Sequence, residues 1–214
     1  MRNPLPQLRP TAMRQNVADV LRKALLAGHF NPGEGLSEVD LAAQLNVSRG
    51  PIREALLILA EEGLVTHTQN RGFSVLQLSE GDRKEISQVR MPLEALALRL
   101  ARARANEDDL KLVAALKERV LTVFESGDFH ASTRMDLEFH RAIWELSGNH
   151  WLVAALKRVV VPYFTFGMVY GERPAALSYE LMLKEHGVYL DYLRGDDSLT
   201  AQECVQFHLS QDPK

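Results

Sequence analysis

Residues 41–65, LAAQLNVSRGPIREALLILAEEGLV, constrain the fold more tightly than any other stretch of the chain. Two apolar stretches of helical period meet there across the three-residue break Asn46-Val47-Ser48. Ser48 can cap the second helix, and Pro51 falls in its first turn, where a missing N–H breaks no hydrogen bond. Ile52, Ala55, Leu56 and Leu59 recur at the spacing of one buried face, and Gly63 is a natural stop. Arg49 and Arg53 stand one turn apart at the head of this helix, beside rather than on the apolar face.

The neighbouring stretches complete a small module. The first fifteen or so residues, with three prolines, read as a mobile arm. From Gln15 a helix is expected, with Val17, Val20, Leu21, Ala24 and Leu25 on its buried face. GHFNPGEG supplies turn residues, and Ser37, with Asp40 in a capping-box-like position, opens a short helix to about Leu45. After Gly63, LVTHT and FSVLQL predict two short strands around QNRG. Helix, helix, tight break, helix and β-hairpin is the plan of a winged helix-turn-helix.

That plan gives the arginines a use. The N-terminal residues of the third helix enter the major groove in this motif, where arginine binds guanine through two hydrogen bonds. Backbone N–H groups and the Ser48 hydroxyl suit a phosphate oxygen, and Gly50 lets the backbone approach closely. At the hairpin tip, Asn70, Arg71 and Gly72 present a cation to a minor groove or a phosphate. Net charge does not oppose this. The chain carries −3 overall, yet residues 1–78 hold eight basic and seven acidic side chains. The alternative is a small α+β module whose arginines are solvated surface charges.

From PGEG to GFSV, and above all in VSRGPIREALLILAEEGLV, the sequence closely resembles the DNA-binding domain of the GntR family of bacterial transcription regulators, through about sixty residues from Val17 to Val75. The resemblance implies DNA contacts from Ser48, Arg49, Gly50, Pro51 and Arg53, and from Asn70, Arg71 and Gly72. Val39 stands where some members carry an arginine.

Ser79 and Asp82 open a new helix, so a boundary is expected near Leu78, with domains 1–78 and 79–214. The rest reads as about six helices, roughly 83–104, 107–126, 129–147, 150–170, 178–194 and 199–211, with Pro92 kinking the first. NEDD, SGD, SGN, GERP and RGDD separate them. No apolar run approaches the ~20 residues of a membrane span, the opening residues lack a secretory signal's apolar segment, and the single Cys204 excludes an internal disulfide. A cytoplasmic protein that makes no membrane contact is expected.

Histidines on apolar helix faces are the second unusual feature. Asp136 and His140 share a stripe beside Phe139, Ile143 and Leu146. His186 lies with Tyr179, Met182, Leu183, Tyr189, Leu190 and Leu193, and His208 with Ala201, Cys204 and Val205. Burying four such groups unpaired costs several kcal/mol, which a divalent metal removes; satisfied core histidines are the alternative. Zinc heads the donor-set candidates, with nickel, manganese and iron behind it. His29, His67, His130 and His150 show no inward pattern. Trp144, Trp151 and YFTFGM at 163–168 read as core or pocket wall, and Glu138 and Glu145 miss the Asp136–His140 stripe.

RMPLEALALRLA, DLEFHRAIWELSGN, EHGVYLDYLRGDD and QFH resemble the helical FCD ligand-binding domain of the FadR-type branch of the same family. That resemblance implies metal ligands at Asp136, His140, His186 and His208, and a carboxylate effector held by Arg90. It also implies a homodimer on a palindromic double-stranded operator. The resulting expectation is a mainly α, ligand-responsive DNA-binding regulator, taken as a repressor and not an enzyme. Its rivals are a metal-dependent enzyme with an appended DNA-binding head and a regulator whose histidine cluster is purely structural.

Overall fold

The computed structural model describes residues 12–171 and 178–209. The expected GERP break and the tail beyond Leu209 therefore fall largely outside the described residues, as does most of the N-terminal arm. Residues 12–15 of that arm are already helical. The chain divides into two compact units, Met1–Val75 and Leu76–Lys214.

In the first unit, α1 (Ala12–Leu26) packs against α3 (Arg49–Glu61), with α2 (Glu38–Leu45) beside α3. Ile52, Ala55, Leu56 and Leu59 are fully buried, as their spacing predicts. On α1 the buried face is Val17, Ala18, Leu21 and Leu25, whereas Val20 is 49% exposed. The face is rotated from the expected one, with the small Ala18 fully buried in place of Val20. The hairpin forms from β2 (Val65–Thr68) and β3 (Gly72–Val75), antiparallel with His67 opposite Phe73. A third strand that sequence reasoning missed, β1 (Gly35–Leu36), pairs with the outer side of β3. Two residues are too short for any alternation to show.

Capping explains the boundaries, with two differences from expectation. The Ser37 hydroxyl accepts from the Asp40 N–H, but the reciprocal half of a capping box is not formed there. Ser48 occupies the N-cap of α3 in extended conformation yet makes no side-chain cap bond. The reciprocal box is instead made by Ser79 and Asp82 at the head of α4 (Glu80–Arg102).

The second unit is all helical among the described residues. It continues with α5 (Glu107–Glu125), α6 (Phe129–Leu146), α7 (His150–Tyr170), α8 (Tyr179–Leu193) and α9 (Ala201–Leu209). The long α4 touches α6, α7, α8 and α9, while α5 packs on α6 and α8. Contrary to the sequence expectation, α7 is long and apolar enough to match a membrane span in length and composition. Leu152, Val153, Leu156, Val160, Val161 and Phe164 are nevertheless buried in the bundle with Ala97, Leu137 and Trp144, the pattern of a core helix. Trp151, expected in core or pocket wall, is 76% exposed. As the second residue of α7, it lies one position off the face that begins at Leu152.

Candidate functional site

Two places collect the residues singled out in the sequence, one on the surface of the first unit and one in the interior of the second. In the first unit, Ser48, Arg49, Gly50 and Arg53 are all exposed at the head of α3, and Pro51 is half-buried. A Cβ built on Gly50 would meet nothing within 4 Å, so the backbone there is open to a close approach. The Ser48 hydroxyl, free of a capping bond, remains available. Arg49 and Arg53 converge on one acid that the sequence did not flag. Glu38 Oε1 accepts from Arg53 Nη1 at 2.9 Å, and Glu38 Oε2 lies 3.6 Å from Arg49 Nη2. In the hairpin turn, Asn70 and Gly72 take positive φ of 65° and 82°, which closes a tight turn and leaves Arg71 exposed between them. Val39 is exposed at 57%.

The interior site lies in the second unit. Asp136 and His140 come from α6, His186 from α8 and His208 from α9. All three histidines are buried, at 1%, 0% and 5% exposure. One ligand atom each from Asp136, His140 and His186 lie within 4.8 Å of one another. His186 Nε2 is 2.9 Å from Asp136 Oδ1, and His140 Nε2 is 3.3 Å from the same oxygen. His208 joins through His140, their Nε2 atoms being 3.0 Å apart. The four residues predicted from sequence are therefore brought together, three as a compact triad and His208 at its edge.

Each imidazole has an oxygen behind its Nδ1. His186 Nδ1–H donates to the Met182 carbonyl at 2.8 Å. Glu94 Oε2 lies 3.8 Å from His140 Nδ1, and Glu185 Oε2 lies 3.6 Å from His208 Nδ1. The Met182 carbonyl fixes the His186 tautomer that turns Nε2 outward as a lone pair, whereas the Glu94 and Glu185 oxygens stand beyond hydrogen-bond distance of the His140 and His208 Nδ1 atoms. For His186 the consequence is direct: a neutral ring would aim its Nε2 lone pair at a carboxylate oxygen 2.9 Å away. Either a proton or a metal cation must lie between them.

The electrostatics without a metal take the proton route. Burial works against charge on Asp136, but hydrogen bonds from His140 and His186 outweigh it and hold the carboxyl well below its usual range. Burial also opposes the charged form of His186, yet the Asp136 carboxylate raises its pKa. His208 is pushed down to about 3 by burial and by neighbouring His140. Burial pushes Glu185 up to about 7.

The donor set fits a divalent metal. Ligands ~2.1 Å from one ion stand about 3.0–3.4 Å apart, close to the 2.9, 3.0 and 3.3 Å separations found here. Three imidazoles and a carboxylate suit zinc, nickel, iron or manganese.

Arg90, at 1% exposure, is also inside the bundle. Its Nε donates to Glu94 Oε1 at 3.0 Å, and its guanidinium lies over the rings of Phe164 and Tyr163 at 5.0 and 5.5 Å. Glu94, Glu185 and Tyr189 were not read from the sequence as part of the site. All three are buried, and Glu94 Oε2, Glu185 Oε1 and the Tyr189 hydroxyl have no hydrogen-bond partner among the described residues. An acid four residues after Arg90 and another just before His186 were the available signals; both resemble solvated helix charges. Leu183, expected on the His186 face, is 40% exposed, and Glu185 takes the inward position. Glu138 and Glu145, the acids that a metal-dependent enzyme would need as general bases, are exposed and pair with Arg141 and Lys157. His29, His67, His130 and His150 are exposed, as expected.

Comparisons with known proteins agree with both halves. Residues 13–75 match the bacterial regulatory proteins of the gntR family, and residues 85–211 match the FCD domain. YdhC of Bacillus subtilis (strain 168), described as an uncharacterized HTH-type transcriptional regulator, is 29% identical over 207 residues, covering 95% of this chain and 91% of its own. The HTH-type transcriptional repressor GlaR of Escherichia coli (strain K12) is 29% identical over 199 residues, covering 88% of this chain and 89% of its own. Among solved structures, E. coli McbR/YncC superposes with a TM-score of 0.70 at 25% identity, over 94% of this chain and 95% of that one.

Proposed function

The chain belongs to the gntR family of bacterial regulatory proteins and carries an FCD domain, and from that premise we propose a cytoplasmic, homodimeric transcriptional repressor that responds to a small carboxylate bound beside a divalent metal. Residues 1–78 form the DNA-binding part and residues 79–214 the sensing part. Ser48, Arg49, Gly50, Pro51 and Arg53 meet one major groove, with Asn70, Arg71 and Gly72 at the flanking backbone or minor groove. Two such heads on one dimer would read a palindromic operator in successive half-sites. GlaR's description as a repressor supports the sign of the regulation.

The observation that carries the sensing reading is the group of buried polar atoms around the histidines. Asp136, His140, His186 and His208 would hold the metal, zinc first among the candidates, and a metal there would supply a fixed positive charge to an anionic ligand. Arg90 would clamp the carboxylate. The unpartnered Glu94 Oε2 and Tyr189 hydroxyl line the same interior and are available to a ligand's own polar groups. Glu138 and Glu145 are exposed and salt-bridged, so the acids beside the cluster are Glu94 and Glu185.

The test uses the full chain. Duplexes enriched from a randomised library give the operator, and fluorescence anisotropy then follows its release as small carboxylic acids are added to metal-loaded protein. A weakening of operator binding of about 5–150-fold by one acid is expected from typical coupling energies. Failure to enrich any sequence would overturn the DNA reading. Turnover of a bound acid would favour an enzyme.

A further inference from the structure

Glu38 lies outside the helix whose head carries Arg49 and Arg53, yet it is hydrogen-bonded to Arg53 and ion-paired with Arg49. It is the first residue of α2, and its carboxylate is divided between them, Oε1 toward Arg53 and Oε2 toward Arg49. The Glu38 side chain is only 15% exposed, whereas Arg49 and Arg53 are 68% and 56% exposed. The anion thus lies beneath two guanidinium groups that face outward.

Stability does not account for this placement, because exposed ion pairs contribute little. Phosphate attraction does not account for it either, since a carboxylate amid the cations weakens the pull of a polyanion. What the arrangement does provide is order. Arginine carries a long, flexible stem, and recognition of guanine through two parallel hydrogen bonds requires its planar fork to be held at a fixed angle. One carboxylate oxygen per guanidinium sets both forks relative to the head of α3 before DNA arrives. The same negative charge disfavours phosphate oxygens as alternative partners.

We propose that Glu38 is a positioning residue for DNA recognition, which aims Arg49 and Arg53 at base edges and raises the ratio of specific to non-specific binding at some expense of non-specific affinity. This rests on the reading of the α3 head as the DNA-contacting surface. The competing account is local: an acid in the first turn of α2 interacts favourably with the helix dipole. Aspartate satisfies that role equally well, but it is one methylene shorter and cannot span both arginines.

The experiment compares the full chain with its Glu38→Asp, Glu38→Gln, Arg49→Ala and Arg53→Ala variants. Each is titrated against the library-enriched duplex and against a mixed-sequence duplex of equal length, over a salt series, with the melting temperature recorded. For Glu38→Asp and Glu38→Gln the expected result is a specific-to-non-specific ratio lowered about tenfold, with non-specific affinity unchanged or higher. Glu38→Asp should keep the wild-type melting temperature. A wild-type ratio in both Glu38 variants, or a loss that only tracks a lowered melting temperature, overturns the proposal. If the ratio also survives Arg49→Ala and Arg53→Ala, the α3 head is not the reading surface and both inferences fall. A collapse in the arginine variants alone overturns only the role of Glu38.

Discussion

The two units of this chain handle charge in opposite ways. At the head of α3, two arginines stand more than half exposed around one acid, and water solvates whatever the protein does not. Inside the helical unit, Arg90, Glu94, His140, Glu185, His186 and His208 are each at most 5% exposed. Exposed charges impose little penalty, so their placement is governed by what they meet. Buried ones impose a large penalty unless paired, so their placement must be answered by a partner within the fold or by a ligand.

The contrast is sharpened first by breaking the buried side. His186→Ala or Asp136→Ala removes one partner of a buried pair and leaves the other uncompensated. Each should destabilise the helical unit by about 3–5 kcal/mol in the absence of metal. Denaturant titration read by tryptophan fluorescence isolates that unit, because Trp144 and Trp151 are the chain's two tryptophans and both lie in it. On the exposed side the same measurement should barely respond: Arg49→Ala and Arg53→Ala should shift stability by no more than about 0.5 kcal/mol. Their effect should appear in DNA binding instead, as a loss of ~1–3 kcal/mol on the enriched duplex by anisotropy. An arginine variant that unfolds the protein, or a histidine variant that does not, would break the comparison.

The smallest effect concerns pH. Glu185 has its pKa raised in the fold, to about 7. A raised folded-state value means that its neutral form is favoured: the contribution to stability is complete below its ordinary pKa near 4.5 and is lost as pH rises through about 7. In chelator-treated protein Glu185→Gln should therefore gain roughly 1–2 kcal/mol over wild type at pH 8, an advantage that fades toward pH 5. Melting curves at the two pH values check it, and an equal difference at both would contradict the assignment.

Legibility in the sequence follows the same division. Ile52, Ala55, Leu56 and Leu59 were readable because a helix packed on one side prints a 3.6-residue period. The arginines were readable because exposed functional groups interrupt that pattern at a definite register. Asp136 and the three histidines were found because polar groups on apolar stripes are anomalous. Glu94 and Glu185 were not, since acids near basic residues on a helix look solvated until neighbouring helices cover them. Glu185 rather than the expected Leu183 turns inward for that reason: α8 is apolar around much of its circumference, and the positions of α5 and α9 decide which residue is covered. Trp151 and Val20 err in the same way, by about one position of helix rotation, which periodicity alone does not resolve.

The central claim is that the histidine cluster is completed by a metal and that a carboxylate ligand binds beside it. The most direct test is a thermal-shift titration of chelator-treated full chain, first with individual divalent metals and then with small carboxylic acids added to the metal-free and metal-loaded forms. At a hundredfold excess over Kd a metal should stabilise by about 2.7 kcal/mol, raising the melting point by several degrees, with the gain absent in His186→Ala. One or more acids should raise it further only when the metal is present. If no divalent metal moves the melting point and no acid moves it in the presence of metal, the histidines are ordinary core residues and the account is wrong.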